Sequence, residues 1–185
     1  MAPKIKIVRV GPSPAGSFSA AFVLPITRDG CVLLTKEQRE GKVKFGMLGG
    51  KAHEAETDFE TMCREANEET GGALSKITLA RLTDGRGILD GAKVYYEGAK
   101  SFAVKHDLVV PEDLDVDTRF DPRAAAAMAS SSDRPIQKKK RKKAKALHLG
   151  LEFVPIEHVR DWQWREENMH HHPSVLCARL MKLGD

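Results

Sequence analysis

Apolar and polar positions change period several times along the chain, and each change marks an expected element. Residues 4–10 (KIKIVRV) alternate basic and apolar side chains, the period of a short half-buried strand, and GPSPAG closes it as a turn. Residues 18–26 (FSAAFVLPI) and 31–35 (CVLLT) are apolar runs joined across TRDG, which predicts a hairpin. Residues 36–44 (KEQREGKVK) read as a basic, polar loop, after which FGMLGGKA supplies another short strand. The period then becomes helical: Phe59, Met62, Cys63 and Ala66 stand at i, i+3, i+4 and i+7, one stripe of a core-facing helix. Thr57 can cap that helix while Glu60 reaches back, so TDFE reads as a capping box. Gly71 and Gly72 supply a left-handed stop.

Beyond the helix, residues 76–82 (KITLARL) alternate again, and 93–96 (KVYY) with 100–105 (KSFAVK) predict an antiparallel pair around EGA. The pattern breaks over residues 108–145. An acidic, proline-containing piece and an Ala/Ser piece lead into a basic run, and residues 121–145 read as a flexible insertion with too few apolar residues to pack. Order returns in a strand at 147–155 (LHLGLEFVP), then a short helix or turn in IEHVRDWQW. Residues 173–183 (PSVLCARLMKL) predict a terminal helix, with Val175, Leu176, Arg179, Leu180 and Leu183 at helical spacing behind a proline suited to the first turn. Strands, helix, strands and helix in this order predict an α/β fold with a mixed sheet. The expected organisation is a single domain over 1–185 with the insertion inside it.

Composition adds limits rather than detail. At 185 residues, 41% hydrophobic and 30% charged, the chain is long enough to bury one ordinary core. The net charge of +4 is concentrated in the run from Lys138 to Lys145 (KKKRKKAK), without which the rest is near neutral or acidic. Cys31, Cys63 and Cys177 are odd in number and widely spaced, which argues against a disulfide framework or a zinc site and for a reducing compartment. No stretch approaches membrane-spanning length and no long apolar core follows the basic N-terminus, so the expectation is an intracellular protein, cytoplasmic and/or nuclear, without a membrane partner.

The chemistry gathers between Gly50 and Gly72 (GKAHEAETDFETMCREANEETGG). Glu65, Glu68 and Glu69 stand at i, i+3 and i+4 beside the apolar stripe, where like charges repel by a few tenths of a kcal/mol per pair (roughly). A cation should offset that crowding. Hard divalent cations take oxygen ligands, and Mg2+ is commonly held by carboxylates plus substrate phosphates.

Gly50, Glu56, Arg64-Glu65, Ala66, Glu68-Glu69, Thr70 and Gly71, at these gaps, resemble the Nudix box of the Nudix hydrolases. Gly72 departs from the family pattern, which has an aliphatic residue there; Leu74 could fill the space. The resemblance implies an α/β/α sandwich and hydrolysis of a nucleoside diphosphate linked to another moiety. It implies Mg2+ or Mn2+ held by Glu65, Glu68, Glu69 and the Gly50 carbonyl, with Arg64 orienting the carboxylates together with Glu56. The general base is left open by the box: Glu65 is one candidate, and Glu97, Asp107, Glu112 and Glu152 are others outside it.

Substrate recognition is less legible. Lys36, Arg39, Lys42 and Lys44 could meet phosphates, although solvated loop charges are the simpler reading. Trp164 and Trp162, with Tyr95 and Tyr96, could stack a nucleobase, against the commoner use of such aromatics in a core. His170, His171 and His172 read as a surface turn. The run from Lys138 to Lys145 offers three roles: an import-receptor contact, an RNA or polyanion contact, or a solvated tether. A nucleotide- or RNA-binding module without turnover is the competing function, and mRNA decapping or inositol pyrophosphate hydrolysis are further substrate choices.

Overall fold

The computed structural model describes residues 5–9, 13–39, 41–72, 74, 92–108 and 147–182. Strands β1 (Ile5–Arg9), β2 (Ala20–Thr27), β3 (Cys31–Arg39), β4 (Lys42–Gly46) and β5 (Leu48–Lys51) precede helix α1 (Asp58–Glu69). After it come β6 (Ala92–Tyr96), a 3-10 turn (Glu97–Ala99), β7 (Ser101–Leu108) and β8 (Leu147–Pro155). Three helices close the order: α2 (Ile156–Arg160), α3 (Trp162–Asn168) and α4 (His171–Leu180).

Among the described residues the strands form one mixed sheet of eight. β2 is its hub. It pairs in parallel with β7 along its length, and on its other edge it pairs antiparallel with β5 from Ala20 to Val23 and with β3 at Ile26. Pro25 falls in the gap where β2 leaves β5 and meets β3, a place where a residue without an N–H breaks no ladder on that edge. β3 carries β8 on one edge and β4 on the other, while β6 and β1 extend the sheet beyond β7.

The middle strands are apolar runs rather than alternations because both of their faces are buried. Ala21 and Val23 of β2, Leu33 of β3, Leu48 of β5 and Val104 of β7 enter one core with Phe59, Met62 and Ala66 of α1. Their neighbours Leu24, Val32, Leu34, Met47 and Ala103 enter a second core, with Val159, Leu176 and Leu180 from the C-terminal helices. The result is the predicted sandwich of helices on both faces of a mixed sheet. Leu74 is buried in the α1 core with Phe59, Met62 and Ala66.

Two sequence expectations are corrected. Residues 36–44 are not a loop: β3 runs on to Arg39 and β4 begins at Lys42, so the polar stretch is a hairpin. It escapes an apolar pattern because its end reaches the sheet edge, where Lys42 and Val43 are exposed. His170–His172 are not a surface turn either, for His170 is the N-cap of α4 and the next two open its first turn, with His170 and His172 half-buried. The strand expected at 76–82, the insertion at 121–145 and the run from Lys138 to Lys145 lie outside the described residues. No helix among the described residues is long and apolar enough to cross a membrane.

Candidate active site

The box helix starts as its sequence dictates. Thr57 is the N-cap, its hydroxyl accepts from the Glu60 N–H at 3.3 Å, and the Glu60 carboxylate accepts from the Thr57 N–H at 2.7 Å. At the other end Gly71 and Gly72 adopt φ of 59° and 90°, and the Gly72 N–H donates to the Asn67 carbonyl. Between these caps the buried Phe59, Met62 and Ala66 anchor one face, and the acidic edge is thereby turned toward β5.

Arg64 organises that edge. Its Nε donates to Glu56 at 2.7 Å and its Nη2 to the same carboxylate at 3.1 Å, a bidentate pair. Nη1 donates to Glu65 at 2.8 Å and lies 3.5 Å from Glu68, and Nη2 also donates to the Lys51 carbonyl. Glu56 accepts further bonds from the His53 N–H and the Thr61 hydroxyl. These bonds, led by the guanidinium, hold its carboxyl down at about 2, and the same contacts drive the Arg64 pKa upward.

Glu69 is the opposite case. Burial pushes its carboxyl up to about 8, and the nearby Glu65, Glu37 and Glu68 add to the rise, while the Gly49 N–H donating at 2.9 Å opposes it. Gly50 lies against the Glu65 carboxylate so closely that a Cβ there would come within 2.6 Å of it. Glycine at this position therefore leaves the space that the Glu65 carboxylate occupies. Among the described residues no three acidic, histidine or cysteine side chains already converge on one point. The Arg64 guanidinium draws Glu65 and Glu68 toward itself, so the carboxylates line a trough. Their chemistry suits a hard divalent ion: oxygen donors only, clustered, with one of them costly to ionise unpaired.

A cavity of about 550 Å³ opens beside the trough and shares Gly49, Gly50 and Lys51 with it. Phe22 and Met47 give it apolar wall; Glu37, the N-cap His170, and His171 and His172 of α4 give it polar wall. The sequence did not single out Glu37. Its only signal was position: once β3 extends past Thr35, Glu37 shares a face with Thr35, whose hydroxyl donates to it at 3.2 Å.

The other sequence candidates are placed elsewhere. Lys36 is in an ion pair with Glu152 at 2.7 Å and lies over the Phe45 ring, and Lys44 donates to the Glu166 carbonyl. Trp164 is stacked between Phe45 and His158. Glu97 is in an ion pair with Lys6. Tyr95 and Tyr96 pack against the two cores, whereas Trp162 is 62% exposed. None of these lines the cavity. The side chains of Arg39 and Asp107, and all of Glu112, lie outside the described residues.

A family model described as the NUDIX domain matches residues 17–171. Among solved structures, the MutT protein of Methanosarcina mazei Go1 is similar at 16% identity and a TM-score of 0.43, with 89% of this chain and 93% of that chain covered. The Bacillus subtilis pyrophosphohydrolase BsRppH, solved as a mutant, is similar at 15% identity and a TM-score of 0.42, with 86% of this chain and 78% of that chain covered. No curated protein matches the sequence.

Proposed function

Since the chain belongs to the Nudix hydrolase family, we propose that it is a metal-dependent pyrophosphohydrolase cleaving the diphosphate linkage of a nucleoside diphosphate joined to another group. The observation that carries this reading is the trough itself: Glu69, half-buried with its carboxyl pushed up to about 8, beside Glu65, Glu68 and the Cβ-free Gly50. A binding module relieved of chemistry would gain from dispersing these charges. Glu65, Glu68, Glu69 and the Gly50 carbonyl would hold Mg2+ or Mn2+. When bound, such an ion supplies charge neutralisation at the phosphates and lowers the pKa of water.

The chain's own residues do the rest. Arg64, fixed by the bidentate bond to Glu56, sets the Glu65 and Glu68 carboxylates facing β5 without needing to touch substrate. The Gly49 N–H orients Glu69. Glu65 stands against Gly50 on the edge it shares with Glu68 and Glu69, which favours it as the base accepting the proton of the attacking water. The whole of 1–185 acts as one catalytic domain on this reading, with the basic run from Lys138 to Lys145 as an accessory contact for polyanions.

The test is a panel of nucleoside triphosphates, nucleotide sugars, dinucleotides, inositol pyrophosphates and capped RNA, each with Mg2+, Mn2+ or chelator. Metal-dependent release of two phosphate-bearing products from at least one of them is expected. The Glu69→Gln variant should lose more than the ~10–100-fold typical of an outer-sphere change while keeping its melting temperature. No cleavage of any compound would instead leave a binding module, and full activity of Glu69→Gln would remove Glu69 from the site.

A further inference from the structure

The cavity beside the trough is built around an aromatic ring that the box does not contain. On β2, Ala21 and Val23 enter the α1 core, so Phe22 takes the opposite face of the sheet, where it is half-buried and lines the cavity. Its strand partner is Gly49, and a Cβ on Gly49 would come within 2.8 Å of the Phe22 Cδ1. The missing side chain gives the ring room to lie against the glycine whose N–H donates to Glu69. Phe22 thus stands between trough and cavity. The His172 ring meets it nearly at a right angle, 85° between planes and 5.5 Å between centroids. Ser101, fully buried, fixes that imidazole through a 2.8 Å hydrogen bond shared with Nε2, and the Tyr96 ring backs it at 5.3 Å. Met47, Ala99 and Pro173 add apolar lining around this corner.

We propose that this corner seats the nucleobase of the substrate, held by stacking on Phe22 where His172 closes the angle. The inference rests on the proposed reaction only for placing a diphosphate at the trough. A flat heterocycle can lie face to one ring and edge to the other, and both arrangements are favoured between aromatic groups. The cavity, at about 550 Å³, is of the size that takes a small ligand. Phosphate suits it badly, since the lining near Phe22 is apolar and Glu37 adds an acid to the wall. An inositol ring would bring hydroxyls to the same apolar surface and no π face. The corner therefore distinguishes nucleotides from inositol pyrophosphates, and it recognises a base as a class, because every base offers a π face. The shared border at Gly49 and Gly50 lets a base in the cavity and a diphosphate at the trough belong to one molecule.

Titrating the full chain in Mg2+ with AMP, GMP, CMP, UMP and ribose 5-phosphate separates the base from the sugar and phosphate without turnover. Each nucleotide should bind about 5- to 150-fold more tightly than ribose 5-phosphate, the range that base–aromatic stacking spans. In the AMP complex the adenine ring protons should move upfield in the NMR spectrum, under the ring current of Phe22. Phe22→Leu, checked for folding by circular dichroism, keeps an apolar side chain beside Gly49 but no π face. It should remove the upfield shift and most of the advantage over ribose 5-phosphate, whereas Phe22→Tyr should keep both. Nucleotides no tighter than ribose 5-phosphate, adenine protons unshifted in the complex, or an equal loss for ribose 5-phosphate in Phe22→Leu would each overturn the proposal. Should Phe22→Leu not fold, Ala99→Phe decides in its place: it fills the cavity from the turn before β7, and undiminished AMP binding would put the base elsewhere. Hydrolysis measured in parallel keeps the two readings apart. Stacking without cleavage of any diphosphate removes the reaction and keeps the pocket, whereas cleavage with no contribution from the base does the reverse.

Discussion

Gly50 is defined by a missing atom. A Cβ there would lie 2.6 Å from both Cδ and Oε2 of Glu65, the far end of a flexible side chain rather than backbone. The Gly50→Ala chain should therefore fold, swinging Glu65 out of the trough. Turnover is expected to fall by about 10–100-fold while the melting temperature moves by only a few degrees, as checked by calorimetry beside the hydrolysis assay. Gly49 differs, because its φ of 135° and a Cβ only 2.3 Å from the Ala21 carbonyl would strain the sheet itself. At this scale the box was legible in the sequence, since its residues are neighbours along one helix and the loop before it. Glu37 and His170 were not. They are separated by most of the chain, and only the β3 extension and the α4 cap bring them to one wall.

At the scale of elements, α1 is held to the loop before it by the brace between Glu56 and Arg64, both side chains about four-fifths covered. The brace makes a stability difference with a definite pH sign. The Glu56 carboxyl is lowered from 4.5 to about 2 in the fold, so its contribution is fully present above about 4.5 and is lost as pH falls through about 2. Glu56→Gln should lower stability by on the order of 3 kcal/mol near neutrality, less whatever Arg64 recovers from Glu65 and Glu68. Urea denaturation from pH 7 down to pH 2 checks this: the gap between the two chains should close across that acid window, and a gap constant with pH would mean the brace is not ionic. The helix itself was readable because capping box, apolar stripe and glycine stop all lie within it. The hairpin of β3 and β4 was not, since its polar outer half has no buried face to imprint a period.

Across the whole molecule, one buried cluster joins parts of the chain that the sequence keeps apart. Asp58 opens α1 fully buried, and its carboxylate accepts from the Ser13 N–H at 2.7 Å and pairs with Lys93 of β6, itself 3% exposed. Lys93 also donates to the Ser13 hydroxyl and lies over the rings of Phe102 at 4.2 Å and Phe59 at 5.2 Å. Burial lowers the lysine's pKa and the carboxylate opposes it, so the pair is held by satisfied bonds rather than by charge alone. Removing one partner strands the other. Lys93→Met should cost about 3–5 kcal/mol, because the Asp58 charge then remains buried with only backbone donors. Adding Asp58→Asn keeps the oxygen that accepts from Ser13 and removes the charge, so the double variant should be more stable than Lys93→Met alone. Because the cluster fixes the first turn of α1, the single variant should also loosen the trough at the helix's far end and reduce metal-dependent turnover, and the double variant should restore part of it. Chemical denaturation of all four chains closes the cycle: a coupling of about 0.5–3 kcal/mol is expected for groups in contact, and strictly additive losses would show that Lys93 and Asp58 contribute separately.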